Sequence, residues 1–322
     1  MSISISKSTY LTYPAILMLT LTTTALLYLV NGHSLIGIDD ANIYQVYMRN
    51  FSNGYGFVYN AGGEHVEGFT SLLWTLIGAV FFRMSNRPEI FLLALNIFIV
   101  SFAIWKVCCF INWRLSNERF FSTHVILFLL LLIALPGYFE WTVLSLLETG
   151  LWSTLLILLT LNSLEFDIRR SSTKENLYFS SLLLLLVCCR PESMLWGAFF
   201  IAAKTFKACG QTRNFKQTLV WVIPSLFVFL SGVGLLIMWR LSYFGYPFPN
   251  TYYAKVSQDP WANLRLGTNY VKVYFINNPF AFLIFLISFQ FIINSLTLRR
   301  GLPGKKNPAR RRSPYYSLAF TC

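Results

Sequence analysis

Charge is what this sequence has least of. Only 12% of its 322 residues are Asp, Glu, Lys or Arg, against about a quarter in an ordinary soluble domain. With 55% hydrophobic residues and a mean hydropathy of +0.54, that shortage excludes a soluble globular enzyme and points to a multi-pass membrane protein. Histidine and cysteine are scarce as well. Three histidines, and six cysteines placed as Cys108-Cys109, Cys188-Cys189, Cys209 and Cys322, match neither a zinc spacing nor a disulfide framework. The cysteines are therefore read as small packing residues. No internal repeat and no second soluble domain can be found.

The first apolar block, about Tyr13 to Val30, has only Lys7 in front of it and no small-x-small cleavage site behind it. It is expected to stay on the protein as a helix rather than act as a signal peptide. The basic excess, a net +13, does not indicate nucleic acid. Seven of the 26 basic residues lie between Arg299 and Arg312 and most others in short loops, which is a positive-inside pattern with contact to anionic headgroups.

Apolar runs of roughly 14 to 23 residues match the length a helix needs to cross about 30 Å of hydrocarbon. Backbone groups in lipid must be satisfied within their own segment, so these runs are read as helices. The fold class expected is all-α, a transmembrane bundle of 8–10 spans. Nine runs are candidate spans, with Ser193–Ala203 the shortest: Tyr13–Val30, Phe69–Phe82, Ile90–Ile111, His124–Phe139, Leu151–Leu164, Leu177–Cys189, Ser193–Ala203, Leu219–Trp239 and Pro279–Leu298. The transmembrane domain is set at residues 1–298, and the basic stretch 299–322 is expected to be a disordered cytoplasmic tail.

Counting back from that tail puts Phe244–Lys255, Arg190-Pro191-Glu192 and Glu148 on the outer face. Counting forward from an inside N-terminus puts Asp39-Asp40 there too, but the two counts clash by one span between Thr70 and Arg119. Either Phe69–Phe82 does not cross or Ile90–Ile111 hides a break. Arg190-Pro191-Glu192 carries a second ambiguity. It is either a turn between two helices or a charged break at mid-membrane, where ionisable residues are rare and usually functional, and Pro191 breaks a helix in both cases.

Against this background, residues 33–70 stand out, because four of the thirteen acidic residues (Asp39, Asp40, Glu64, Glu67) fall within them. Adjacent acids can keep one carboxylate as a general base and use the other for orientation or for a divalent ion. On a helix, neighbours project about 100 degrees apart, so the two acids would do different jobs. A helix is expected over Ala41–Phe51, capped by the Asp pair, with Ile43, Val46, Tyr47, Asn50 and Phe51 on one face and the segment lying in the interface. Asn53-Gly54-Tyr55-Gly56 and Asn60-Ala61-Gly62-Gly63 read as turns that fold Glu64 and Glu67 back toward the membrane. His65 has no partner at metal spacing.

Asp39-Asp40-Ala41, Tyr47-Met48-Arg49-Asn50, Asn53-Gly54-Tyr55-Gly56-Phe57-Val58-Tyr59-Asn60 and Gly63-Glu64-His65-Val66-Glu67-Gly68-Phe69-Thr70-Ser71 together resemble the first outer loop of the GT-C superfamily of polyprenyl-phosphate-sugar glycosyltransferases. The nearest likeness is to the bacterial branch that includes mycobacterial terminal arabinofuranosyltransferases. Leu146-Leu147-Glu148-Thr149-Gly150-Leu151, Arg190-Pro191-Glu192 and Pro249-Asn250-Thr251-Tyr252-Tyr253-Ala254-Lys255 resemble later elements of that branch, in the same order. Asn42, Ser193 and His65 depart from its usual residues.

The resemblance implies a glycosyltransferase in the bacterial inner membrane, with its active site on the periplasmic face. Its donor would be a polyprenyl-phosphate sugar, its acceptor a cell-envelope glycan or lipid, and its surroundings membrane lipids. It implies Asp39 and Asp40 as the catalytic acids and Glu148 and Glu67 in acceptor orientation. Arg190, Lys255 and Arg49 are the cations available for the donor phosphate. No cofactor is certain, and a divalent cation such as Mg or Mn stays open. Each cation has a plainer reading as a side chain that snorkels to the interface, and Glu148 a plainer one as a helix cap. Tyr243, Tyr246, Tyr252, Tyr253 and Trp261 read first as an interfacial belt and second as a stacking surface. Two other functions compete: a lipid-linked-sugar transporter or flippase, and a shortened, non-catalytic relative.

Overall fold

The computed structural model describes residues 12–32, 39–115, 121–135, 137–168, 172–212, 215–257, 259–283 and 286, and among them every regular element is helical. The helices are α1 (Thr12–Val30), α2 (Asp39–Ser52), α3 (Leu72–Met84), α4 (Pro88–Arg114), α5 (Thr123–Ala134), α6 (Thr149–Glu165), α7 (Thr173–Cys189), α8 (Ser193–Thr212), α9 (Phe215–Phe244), α10 (Asn250–Lys255) and α11 (Pro260–Asn277). A single π-helical turn, Glu140–Leu144, precedes α6. Among the described residues, three helices are long and apolar enough to cross a membrane: α1, α4, and α9 over Thr218–Phe244. The tail 299–322 and the run Pro279–Leu298 beyond residue 286 lie outside the described residues.

The described residues fall into two compact units. The larger holds residues 12–111 and 139–255. Its main core is built from α6, α7, α8 and α9 through Leu155, Leu159, Phe179, Leu183, Leu186, Phe200, Phe229 and Leu236. At about 25 cal/mol per Å² of apolar area removed from water, each such side chain contributes on the order of 2 kcal/mol.

Polar contacts fix the direction of each helix. At one end the Trp152 indole donates to Ser193 Oγ at 2.9 Å and Arg190 faces Glu148. At the other, Lys207 donates to the carbonyls of Ser163 and Leu164, and Lys204 donates to Asn176 Oδ1 at 2.8 Å. Residues 176 and 204 lie equally far from Arg190, so α7 and α8 form an antiparallel hairpin that turns at Arg190-Pro191-Glu192. The two-helix reading of that stretch is the one observed. The chemistry agrees: Lys204 is buried but hydrogen-bonded, and its ammonium lies 4.0 Å from the Phe179 ring centre.

α3 is 13 residues long, about 20 Å at 1.5 Å per residue, well short of the hydrocarbon thickness. It runs beside α2 in the same direction. The Tyr44 hydroxyl meets Thr70 and Ser71 at its start, a Cβ on Gly78 would strike Met48 at its middle, and Arg83 donates to the Ser52 carbonyl at its end. α2 is a helix as the sequence indicates, but its buried face is Ala41, Tyr44, Tyr47, Met48 and Asn50, while Phe51 is exposed. The face keeps Tyr47 and Asn50 of the expected set and turns toward Tyr44, because both tyrosine hydroxyls and the asparagine amide satisfy the backbone of the returning loop. Tyr47 donates to the Val66 carbonyl, and Asn50 donates to those of Val58 and Tyr59.

The smaller unit holds described residues 112–138 and 256–286. Ser122 caps α5 and donates to Asn112 Oδ1 at 2.8 Å. α11 opens on an Asp259 cap followed by Pro260 and has no buried residue.

Candidate functional site

Helix ends and the returning first loop of the larger unit enclose a cavity of about 190 Å³, lined by Asp40, Ile43, Tyr44, Gly68, Thr70, Trp141, Leu147, Glu148, Thr149, Arg190 and Thr251. α2 brings Asp40 and Tyr44, four residues apart and therefore on one face. The α7–α8 turn brings Arg190.

Glu148 arrives by a less regular path. The π-helical turn closes with Ser145 N–H donating to the Glu140 carbonyl at 2.8 Å. Leu146 then adopts φ +57°, a left-handed conformation unfavourable for a branched side chain. It is held there by burial and by the Trp74 indole, which donates to its carbonyl at 3.0 Å. Glu148 follows as the N-cap of α6, but its side chain makes no cap bond. Gly150 permits this close approach, since a Cβ there would lie 2.7 Å from Asn96 Oδ1 and would run into the Thr142 carbonyl.

The Glu148 side chain turns instead to Arg190, whose Nη1 lies 3.3 Å from Oε1. Thr70 Oγ1 donates to the same oxygen at 3.2 Å, and the Tyr44 hydroxyl, 2.7 Å from Thr70 Oγ1, accepts from the N–H groups of Thr70 and Ser71. Burial pushes the Glu148 carboxyl above the usual carboxylate range, and Arg190 pulls it partly back. Arg190 also meets Glu192 through Nε and Nη2, both at 3.4 Å, and stacks over Trp152.

No family model, curated protein or solved structure matches the chain. The site therefore has to be read from its own chemistry.

Of the residues singled out in the sequence, Asp40, Glu148 and Arg190 are brought together in this cavity. Asp39 opens α2 beside Asp40, though its side chain is outside the described set. Lys255 ends α10, whose Thr251 lines the cavity, and its side chain is likewise not described. Arg49 is exposed, about 13 Å along α2 from Asp40, and is not among the lining residues.

Glu67 is buried away from the cavity. Its Oε1 accepts from Nε and Nη2 of Arg240, each at 3.0 Å, with both side chains at most 2% exposed. Glu64 is exposed, so the two glutamates have different fates. His65 stacks on Tyr243 with ring centres 4.4 Å apart, and the Tyr243 hydroxyl accepts the Phe57 N–H. No group of three His, Cys, Asp or Glu that could hold a metal ion occurs among the described residues.

Sequence reasoning missed Arg240 and Tyr44. The signal for Arg240 was available, since it is the residue at which the apolar run Leu219–Trp239 stops. Tyr44 carried none beyond its four-residue spacing from Asp40.

Proposed function

We propose that the chain is an integral-membrane glycosyltransferase of the GT-C kind, moving a sugar from a polyprenyl-phosphate donor to a glycan or lipid acceptor at the periplasmic face. The observation that carries this reading is the meeting of an exposed carboxylate, Asp40, and a partly exposed guanidinium, Arg190, in one cavity at the ends of apolar helices. In this reading Asp40 takes the proton of the acceptor hydroxyl as its oxygen attacks C1. The bond from C1 to the phosphate oxygen breaks with inversion, and Arg190 holds the departing phosphate. Phosphate leaves readily, so the protein supplies electrostatic stabilisation rather than an acid to protonate it. Ligand sites for drug-sized molecules run to roughly 300–1,000 Å³, so the cavity suits the reacting end of the donor, with its lipid in the bilayer.

α1, α4 and α6 to α9 are read as crossings, and α3 as a helix lying at the interface beside α2. α5 is no longer than α3, but it lies in a longer apolar run, His124–Phe139; counting that run and the apolar run at 279–298 as crossings gives eight, an even number on which the two ways of counting would agree. The test is transfer from a polyprenyl-phosphate sugar by purified protein carrying Asp40→Asn or Asp39→Asn. At least a hundredfold loss in one of them is expected for a general base; parental rates in both would remove this reading.

A further inference from the structure

All three guanidinium nitrogens of Arg190 already face protein carboxylates, Nη1 toward Glu148 and Nε and Nη2 toward Glu192. Among the described side chains, the cavity carries two carboxylates, Asp40 and Glu148, against this one cation. An entering anion therefore finds the fork occupied and the local charge unfavourable. The contacts are loose, 3.3 to 3.4 Å, where charge-assisted N–H to carboxylate bonds run about 2.7–2.9 Å. Glu192 is largely exposed and does not line the cavity, whereas Glu148 does. The Glu148 side is thus where an anion would gain the fork.

Glu148 is 3% exposed, and its Oε2 is buried with no hydrogen-bond partner. Once Arg190 turns away, what faces it among the described residues is Thr70, the Tyr44 hydroxyl, the Cys189 thiol and its own backbone N–H, and Asp40 across the cavity adds negative charge. None of these neutralises a buried carboxylate, so the charged form is not sustained there.

We propose that Glu148 is an internal counter-anion that occupies Arg190 until a phosphodiester displaces it, and that it takes up one proton from solvent as it yields. Nothing else is made or broken; the carboxylate becomes a neutral acid whose O–H can then donate toward the bound anion. This deepens the transferase reading and rests on its assignment of Arg190 to phosphate. The burial that lifts the Glu148 carboxyl in the resting protein acts in the same direction. By linkage, the anion binds less tightly as pH rises, by up to tenfold per pH unit between the resting and the bound value of Glu148.

The probe is farnesyl methyl phosphate, a phosphodiester whose own charge is constant near neutrality. It is titrated calorimetrically into the full chain in maltoside detergent, in two buffers of different ionisation heat. Uptake of up to one proton per ligand is expected in a scan from about pH 5 to 9, largest between the resting and the bound value of Glu148. In Glu148→Gln the uptake should vanish and the pH dependence flatten, with binding at least as tight. Binding by the parent without proton uptake, or uptake that persists in Glu148→Gln, overturns the exchange while leaving the transferase reading in place. The parent measurement decides this even if the variant does not fold. No binding at any pH overturns both. Phosphatidylglycerol binding as tightly as the prenyl diester, with the same proton uptake, upholds the exchange but assigns the site to a phospholipid headgroup, against the transferase reading.

Discussion

Glu67 and Glu148 are both buried carboxylates that face an arginine, and they sit at the same end of the larger unit. Glu67 accepts two bonds at 3.0 Å from Arg240, with both side chains out of reach of water. Glu148 stands 3.3 Å from an Arg190 that is a quarter exposed, shared with a second carboxylate and open to a cavity. The first pair can only hold. The second can exchange, because its cation has somewhere else to point.

The contrast predicts its largest effect in stability. Arg240→Met leaves Glu67 uncompensated and should cost about 3–5 kcal/mol. Arg190→Met should cost less than half of that, since Glu148 can take a proton beside a cavity that admits water. Thermal unfolding of the two variants in one detergent checks this, and equal losses would erase the distinction. A smaller effect concerns pH. The folded Glu148 carboxyl lies above its unfolded value of about 4.3, so its stabilising share is complete below that value and is lost as pH rises through the raised one. The parent should therefore lose more stability than Glu148→Gln as pH is raised from about 4.5 to 7, as chemical denaturation at several pH values would show. The smallest effect belongs to the exposed third carboxylate. Glu192→Gln should change stability by about 0–1 kcal/mol, and a larger loss would mean that Arg190 is held from the rim rather than from the cavity.

Much of the fold was legible because it follows from local pattern. The runs Tyr13–Val30, Ile90–Ile111 and Leu219–Trp239 coincide with the three helices able to cross a membrane by length and composition, and α2 begins at the acidic pair. What was not legible depends on distant partners. The inward face of α2 was only partly legible: Tyr47 and Asn50 were placed on it, but Tyr44 was not, because only the returning loop gives its hydroxyl a reason to be buried. Glu67 was read as an acceptor-orienting acid because its motif is local, whereas Arg240 lies 173 positions away. At Arg190-Pro191-Glu192 two readings fitted equally until Lys204 and Asn176 were seen to meet.

The separation of Glu67 from Arg240 also bears on how the protein is made. At roughly 5–20 residues per second, the first loop waits on the order of 10–35 s after its synthesis before the arginine that clasps it exists. The hydroxyl of Tyr243, which receives the Phe57 N–H of the same loop, appears only after that arginine. During that interval the loop has its turns and its bonds to α2 but not its anchors on α9, and Glu67 must remain hydrated or protonated rather than enter its final place. The cavity that depends on this loop is thus assembled late, once α9 has been made, and a chain interrupted before Arg240 would carry Asp40 on a helix with no settled site around it.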